Sequence, residues 1–290
     1  MREPLKNMGA SVRARLLKMS KERGQPFDLL LTRYVLERFL YRLSSTAHRE
    51  NFVLKGAMLV TTWLENPHRP TRDIDLLGFG ASQPETILAA FREICAINPD
   101  DGVNFDVAGL TIDRNREDLA YGGLRVVTNA QIGGARVRVV IDIGFGDATE
   151  PGLNEIEMPV LLEQPAPKLR AYAMETVIAE KFQAMVVLGR ANSRMKDFYD
   201  NWFLAKAFTF EGDRLARAIA ATFERRQTEV PLDVPDALTD AFARDDQKRK
   251  QWDAFVSGVL SDPVALDVVI SDLRAFLMPH AASARRISNA

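Results

Sequence analysis

Lys55-Gly56-Ala57 and, downstream, Arg69-Pro70-Thr71-Arg72-Asp73-Ile74-Asp75-Leu76 decide how this chain folds. The first stretch is a small-residue turn, and the second carries two carboxylates separated by one apolar residue. Side chains alternate faces along a strand, so Asp73 and Asp75 project together while Ile74 and Leu76 turn to the core. Neighbouring carboxylates repel, and burying them is costly unless something positive lies between them. A divalent cation held by oxygen ligands resolves that conflict, and Mg²⁺ is usually held by one or two carboxylates plus substrate phosphates. The pattern points to metal-assisted phosphoryl chemistry.

Around this motif the chain reads as alternating elements. Phe52-Val53-Leu54 is a short strand, Gly56 a turn, and Met58-Leu59-Val60 with Trp63-Leu64 a helix that starts there. Asn66 to Pro70 is a loop, and Arg72–Leu77 is the strand bearing the carboxylates. Upstream, Ser11 to about Ser44 is helical in pattern with a break at Gly24-Gln25-Pro26. Its second piece carries Leu31, Val35, Phe39 and Leu43 at helical spacing, with Arg33, Arg38 and Arg42 off that stripe. Downstream come a helix at Pro84–Cys95, a strand pair or meander over Val103–Ile112, and a hairpin of Leu124–Thr128 and Ala135–Ile143 turning at Gly133-Gly134.

Pro151 to Pro167 is punctuated by proline and glycine, which places a boundary near residue 165. Beyond it Tyr172–Leu188, Arg194–Phe208 and Asp213–Arg226 are helical in pattern, and Leu238 to Met278 holds further helices interrupted at Ser261-Asp262-Pro263. The expected fold is α/β: a mixed sheet with flanking helices over residues 1–165, then an all-helical lobe over 166–290.

Composition narrows the class. The chain has 290 residues, is 47% hydrophobic and carries a net charge of -1, so a core is affordable and a globally basic nucleic-acid coat is excluded. Its single cysteine, Cys95, rules out an internal disulfide and suits a reducing compartment. The first residues lack the apolar stretch of a signal peptide, and no segment reaches the roughly 20 apolar residues of a membrane span. A cytoplasmic location without membrane contact is the expectation. Charge is unevenly placed: residues 1–50 hold eleven Lys and Arg against five Asp and Glu, while residues 73–165 hold six against sixteen. An acidic catalytic half beside a basic face suits a metal site working on a polyanion, although such charges also simply decorate solvated helices.

Asp142 is a third acidic candidate. In Val137-Arg138-Val139-Val140-Ile141-Asp142-Ile143 the odd positions are apolar, so Asp142 shares the opposite face with Val140 and Arg138. Aspartate is unfavourable inside so β-prone a run. It either closes the strand ahead of Gly144-Phe145-Gly146 or joins Asp73 and Asp75, and three such carboxylates can hold two metal ions. Gly56, between strand and helix, lets backbone approach a phosphate; Lys55 either assists or lies at the surface.

In the helical half Lys181 falls in the middle of the apolar stripe of Met174, Ile178, Met185 and Leu188. It either snorkels to water or reaches a triphosphate or pyrophosphate. Lys196 and Asp200 are spaced for a surface ion pair, which leaves Asp197 to orient Lys181 or take a proton from an acceptor hydroxyl. Tyr199 and Trp202 pack in the core or stack a base. His68 and Arg69 touch phosphate or are solvated. His48 and His280 lack partners at zinc-ligand spacing, and no nucleophile-elbow, Walker or dinucleotide fingerprint is present.

These residues together resemble the nucleotidyltransferase superfamily, with its Gly-Ser or Gly-Gly turn, Asp-x-Asp strand and third strand-borne Asp. Within it the chain is similar to the AbiEii/AbiGii toxin family over about residues 5–210, through Phe52 to Leu59, Arg69 to Leu76, Glu180-Lys181-Phe182 and Lys196-Asp197-Phe198-Tyr199-Asp200. The resemblance implies a toxin that transfers a nucleotide from an NTP, with Mg²⁺, to an acceptor such as the tRNA 3′ end. It also implies a cognate antitoxin, or its phosphorylating equivalent. It assigns metal binding to Asp73, Asp75 and Asp142, nucleotide contacts to Gly56, Ala57, Lys181 and Lys196, and support of Lys181 or the acceptor to Asp197. Ala57 stands where the superfamily often has Ser or Gly, so any phosphate hold there falls to backbone N–H groups. A metal-dependent nucleotide-sugar glycosyltransferase and a non-catalytic nucleotide-binding module are the alternatives.

Overall fold

The computed structural model describes residues 7–63, 71–114, 123–259 and 263–288. They divide into two compact units, one of Met1–Gly146 with Asn154–Ala171, the other of Asp147–Leu153 with Tyr172–Ala290. The Pro-rich stretch expected to mark a boundary near 165 is therefore shared. Residues 147–153 belong to the second unit, and 154–171 return to the first as part of its sheet.

The first unit opens with helices α1 (Met8–Arg23) and α2 (Phe27–Ser44), then runs through β1 (Phe52–Lys55), α3 (Gly56–Val60), β2 (Asp73–Gly78) and α4 (Pro84–Ala96). It continues through β3 (Asn104–Phe105), β4 (Thr111–Arg114), β5 (Leu124–Ile132), β6 (Ala135–Phe145), β7 (Leu153–Glu157) and β8 (Lys168–Tyr172). The strands form one mixed sheet in the order β3-β5-β6-β2-β1-β8-β7, with β4 also on β5. β2 runs parallel to β6, and β1 is antiparallel to β2 and parallel to β8. The hairpin of β5 and β6 turns on Gly133-Gly134 at φ of +50° and +82°, the left-handed pair that a two-residue turn between twisted strands needs.

Alternation sets which face each strand buries. Ile74 and Leu76 of β2 and Val139, Ile141 and Ile143 of β6 are fully buried, leaving the aspartates on the opposite face. β7 and β8 were not expected; both are five-residue strands in a proline-punctuated stretch, too short to show a period. The helix expected to follow Gly56 ends at Val60, and Leu64 to Pro70, with His68 and Arg69, lies outside the described residues.

α2 departs from the simple amphipathic reading, because Arg38 and Arg42 are 0% and 1% exposed. Arg42 forks onto Asp101 at 2.7 and 3.0 Å and donates to the carbonyls of Ile97, Arg38 and Val103. Arg38 lies 2.9 Å from Glu37 and donates to the Pro165 carbonyl. These cations are spent inside the unit, so part of the basic charge counted in the N-terminal stretch is not a surface for polyanions. Burial pushes the Glu37 carboxyl up to about 7, against the lowering effect of Arg38 and the Leu161 N–H.

The second unit is helical, comprising α5 (Met174–Leu188), α6 (Met195–Ala207), α7 (Gly212–Arg225), α8 (Asp240–Ala243), α9 (Asp246–Val256) and α10 (Leu266–Ser288). Its core joins Phe182 of α5 to Phe223 of α7 with ring centroids 5.4 Å apart, and Phe198 of α6 to Phe242 of α8 at the same separation. Among the described residues no helix is long and apolar enough to cross a membrane.

Candidate functional site

The acidic site of the first unit is a product of register. β2 lies between β1 and β6 so that Lys55 pairs with Asp75, Asp75 with Asp142, and, across β5, Asp142 with Arg125. Partners in register share a face, so Arg125, Asp142, Asp75 and Lys55 form one row across four strands. Asp73, two residues before Asp75, projects from the same face and is fixed by the Thr71 hydroxyl, which donates to its Oδ1 at 2.9 Å.

Gly56 follows Lys55 at the end of the row and lies against the Asp75 side chain. Its φ is +68°, and a Cβ there would sit 2.6 Å from the Asp75 Cγ. Glycine is required twice over, for the left-handed backbone and for the space the Asp75 carboxylate fills. Ala57, beside it, is 6% exposed and has no polar atom to offer beyond its backbone.

Two facing carboxylates about 5 Å apart at an effective dielectric near 20 repel by roughly 3 kcal/mol. Arg125 offsets this at Asp142: its Nε donates to Oδ1 at 2.7 Å and its Nη2 to Oδ2 at 2.8 Å. This is the bidentate fork that holds a carboxylate most firmly. The Asp142 side chain is 12% exposed and that of Arg125 39%. Asp73 and Asp75 are half-buried and side by side, oxygen donors of the kind a divalent cation takes. Asp142 stands opposite them with both oxygens already engaged. Among the described residues no group of three or more His, Cys, Asp and Glu is arranged to hold a metal. Arg125 was missed in the sequence, although counting back from the two-residue turn at Gly133-Gly134 places it opposite Asp142.

In the second unit Lys181 neither snorkels nor stands alone. Its ammonium lies 2.7 Å from Asp197 Oδ1 and 2.9 Å from Asp200 Oδ2, both aspartates being essentially buried. Arg194 reaches the other Asp197 oxygen at 2.8 Å. Burial raises the Asp197 carboxyl, but Lys181 and Arg194 outweigh it and hold the group below the usual carboxylate range. Asp200 is thus an interior partner of Lys181, where helical spacing suggested a surface pair with Lys196; Lys196 itself is exposed.

Beside this cluster in the chain, Glu180 accepts from Arg226 at 3.0 Å, and the Tyr172 hydroxyl lies 3.3 Å from both Glu180 and Asp147. Tyr199 is 1% exposed and packs edge-on against Phe255, while Trp202 is half-buried and donates to Asp272 at 2.9 Å, so both serve packing here. His48 meets Glu93 and His280 packs on Phe276.

Comparison with known proteins adds an independent line. Residues 38–278 match the family described as nucleotidyl transferase AbiEii toxin, type IV toxin–antitoxin system. No curated protein matches the chain. Among solved structures, JHP933 from Helicobacter pylori is 17% identical with a TM-score of 0.51, covering 90% of this chain and 95% of its own. A second H. pylori chain, described as a candidate nucleotidyltransferase, is also 17% identical, with a TM-score of 0.49 and coverage of 89% and 96%. At such identity the JHP933 likeness shows a shared fold. The family match spans most of the chain, from the α2 arginines to α10, and on that ground the chain belongs to the AbiEii nucleotidyl transferase toxin family of type IV toxin–antitoxin systems.

Proposed function

We propose that this chain is a Mg²⁺-dependent nucleotidyltransferase that moves a nucleotide from an NTP to an acceptor hydroxyl, with the 3′ end of tRNA as the acceptor to test first. The observation that carries the reading is the row of Arg125, Asp142, Asp75 and Lys55 with Asp73 beside it. It is a strip of opposed charges on one sheet face, next to a glycine that keeps the adjoining backbone clear.

Asp73 and Asp75 are the residues that would hold the divalent ion, which supplies charge neutralisation for the nucleotide phosphates when bound. Thr71 fixes Asp73, and Gly56 lets Asp75 lie flat against the start of α3, so neither carboxylate has to be reoriented when the nucleotide arrives. Gly56 and Ala57 present backbone to the nucleotide on that side. Lys181 and Lys196, in the second unit, are what the resemblance to the family offers to a polyphosphate. Asp197 and Asp200 hold the Lys181 ammonium in place, and a charge fixed in advance is what electrostatic stabilisation of phosphoryl transfer requires. The family also implies a cognate antitoxin as the protein partner.

Transfer of labelled nucleotide from each NTP to a total tRNA pool tests the reading. Asp75→Ala should lower it by at least about a hundredfold, because the charge stabilisation at stake is several kcal/mol. Undiminished transfer by that variant, once folded, would overturn the assignment.

A further inference from the structure

We propose that the outer face of the β5–β6 hairpin is a track for the acceptor, on which Arg136 and Arg138 take the phosphates of a single-stranded RNA end and lead it toward the acidic row. The inference rests on the nucleotidyltransferase reading and adds to it a surface and a class of acceptor. Pairing along this hairpin is unbroken from Leu124 with Ile143 to Ile132 with Ala135, so every second residue shares the face of Arg125 and Asp142. On that face Val127 pairs with Val140, Asn129 with Arg138, and Gln131 with Arg136. The residues between them, such as Val126, Val137 and Val139, are turned to the core. Arg136, Arg138 and Gln131 are exposed, while Asn129, Val127 and Val140 are half-buried.

Arg136 and Arg138 have no carboxylate partner among the described residues. The cations around them are spent: Arg125 forks onto Asp142, and Arg13 donates to the Gly133 carbonyl. Asp106, whose N–H donates to the Asn129 carbonyl, accepts from the Gly109 N–H at 2.9 Å and is occupied by its own turn. Each arginine has an amide side chain directly opposite it, so a phosphate there meets a planar fork and a second donor. Strand rise places Arg138 about 13 Å and Arg136 about 20 Å from Asp142, a reach of a few nucleotides. The step between is the apolar pair Val127 and Val140, which keeps phosphates on the arginines clear of the carboxylates that would repel them. Cations on alternate residues of one strand follow a repeating charge, and the track ends on the carboxylates where an acceptor hydroxyl is needed. Both features favour a polynucleotide over an acidic protein.

Fluorescence anisotropy with a short labelled single-stranded RNA ending in a free 3′ hydroxyl tests this, read as the slope of log affinity against log salt concentration. Each phosphate contact contributes about 0.7 to that slope on a single strand. Arg136→Gln and Arg138→Gln should each weaken binding and flatten the slope by about 0.7, and the double variant by about 1.4, equally for RNAs of different sequence. Arg92, exposed on α4, is the control, and Arg92→Gln should leave the slope unchanged. An unchanged slope in the folded double variant overturns the inference, as does an equal loss in Arg92→Gln. Absence of RNA binding by the wild-type chain also overturns it and leaves the two arginines to an acidic protein. The expected slopes in a wild-type chain that transfers no nucleotide would instead remove the nucleotidyltransferase reading and leave the RNA surface standing.

Discussion

At the residue scale the most exposed choice in this chain is Gly56. Its backbone is left-handed and the Asp75 carboxylate occupies the space a side chain would need. Gly56→Ala therefore carries two separable costs: about 1 kcal/mol of backbone strain, and displacement of Asp75. We expect a small fall in melting temperature with a loss of nucleotide transfer of tenfold or more, since a shift of about 1 Å at a positioned group costs that much or more in rate. Near-normal transfer alongside the lowered melting temperature would show that Asp75 tolerates movement. The same residues show what a sequence tells. Lys181 announced itself by standing in an apolar stripe, which asks for a buried partner, and Asp197 was named as one. Asp200 was misassigned because i, i+4 spacing to Lys196 is an equally good local explanation, and only the packing of α6 turns Asp200 inward. Arg125 sat on an expected strand, but a single arginine in a strand carries no signal until the pairing across the turn is counted.

At the element scale, α2 shows why periodicity alone misjudges charge. The stripe of Leu31, Val35, Phe39 and Leu43 was legible, yet Arg38 and Arg42 beside it are as buried as the leucines. Their partners Asp101 and Pro165 are far off in sequence, and no local pattern announces a contact across that distance. Glu37, buried against Arg38, gives a measurable consequence. Its carboxyl titrates at about 7 in the fold, against roughly 4.3 in an unfolded chain. A raised folded value favours the protonated form, so its contribution to stability is complete below about pH 4 and is lost as pH rises through 7. The implied swing is on the order of 3 kcal/mol. The midpoint of the first unit's own denaturant transition should fall between pH 5 and pH 8, and Glu37→Gln should flatten that slope whatever its own stability. An unchanged slope in the variant would assign the dependence elsewhere.

At the scale of the whole molecule, the α/β character, the central motif and the helical second half were legible because each rests on a strong local period or on turn residues. The division of the chain was less so, since β7 and β8 carry residues 154–171 back into the first sheet and leave 147–153 to the second unit. That division shapes how ligand binding will be seen. A chain of two compact units need not melt in one step, so a single midpoint is a poor measure and scanning calorimetry is the better one. A nucleotide at a hundred times its dissociation constant stabilises the unit that binds it by about 2.7 kcal/mol. For a unit of this size that moves its transition by roughly 5–10 °C. NTP with Mg²⁺ should shift the transition of the unit holding Asp73 and Asp75, and excess EDTA should reverse the shift. Asp75→Ala should show none. An equal shift in that variant would place nucleotide binding away from the acidic row, and with it the chemistry assigned there.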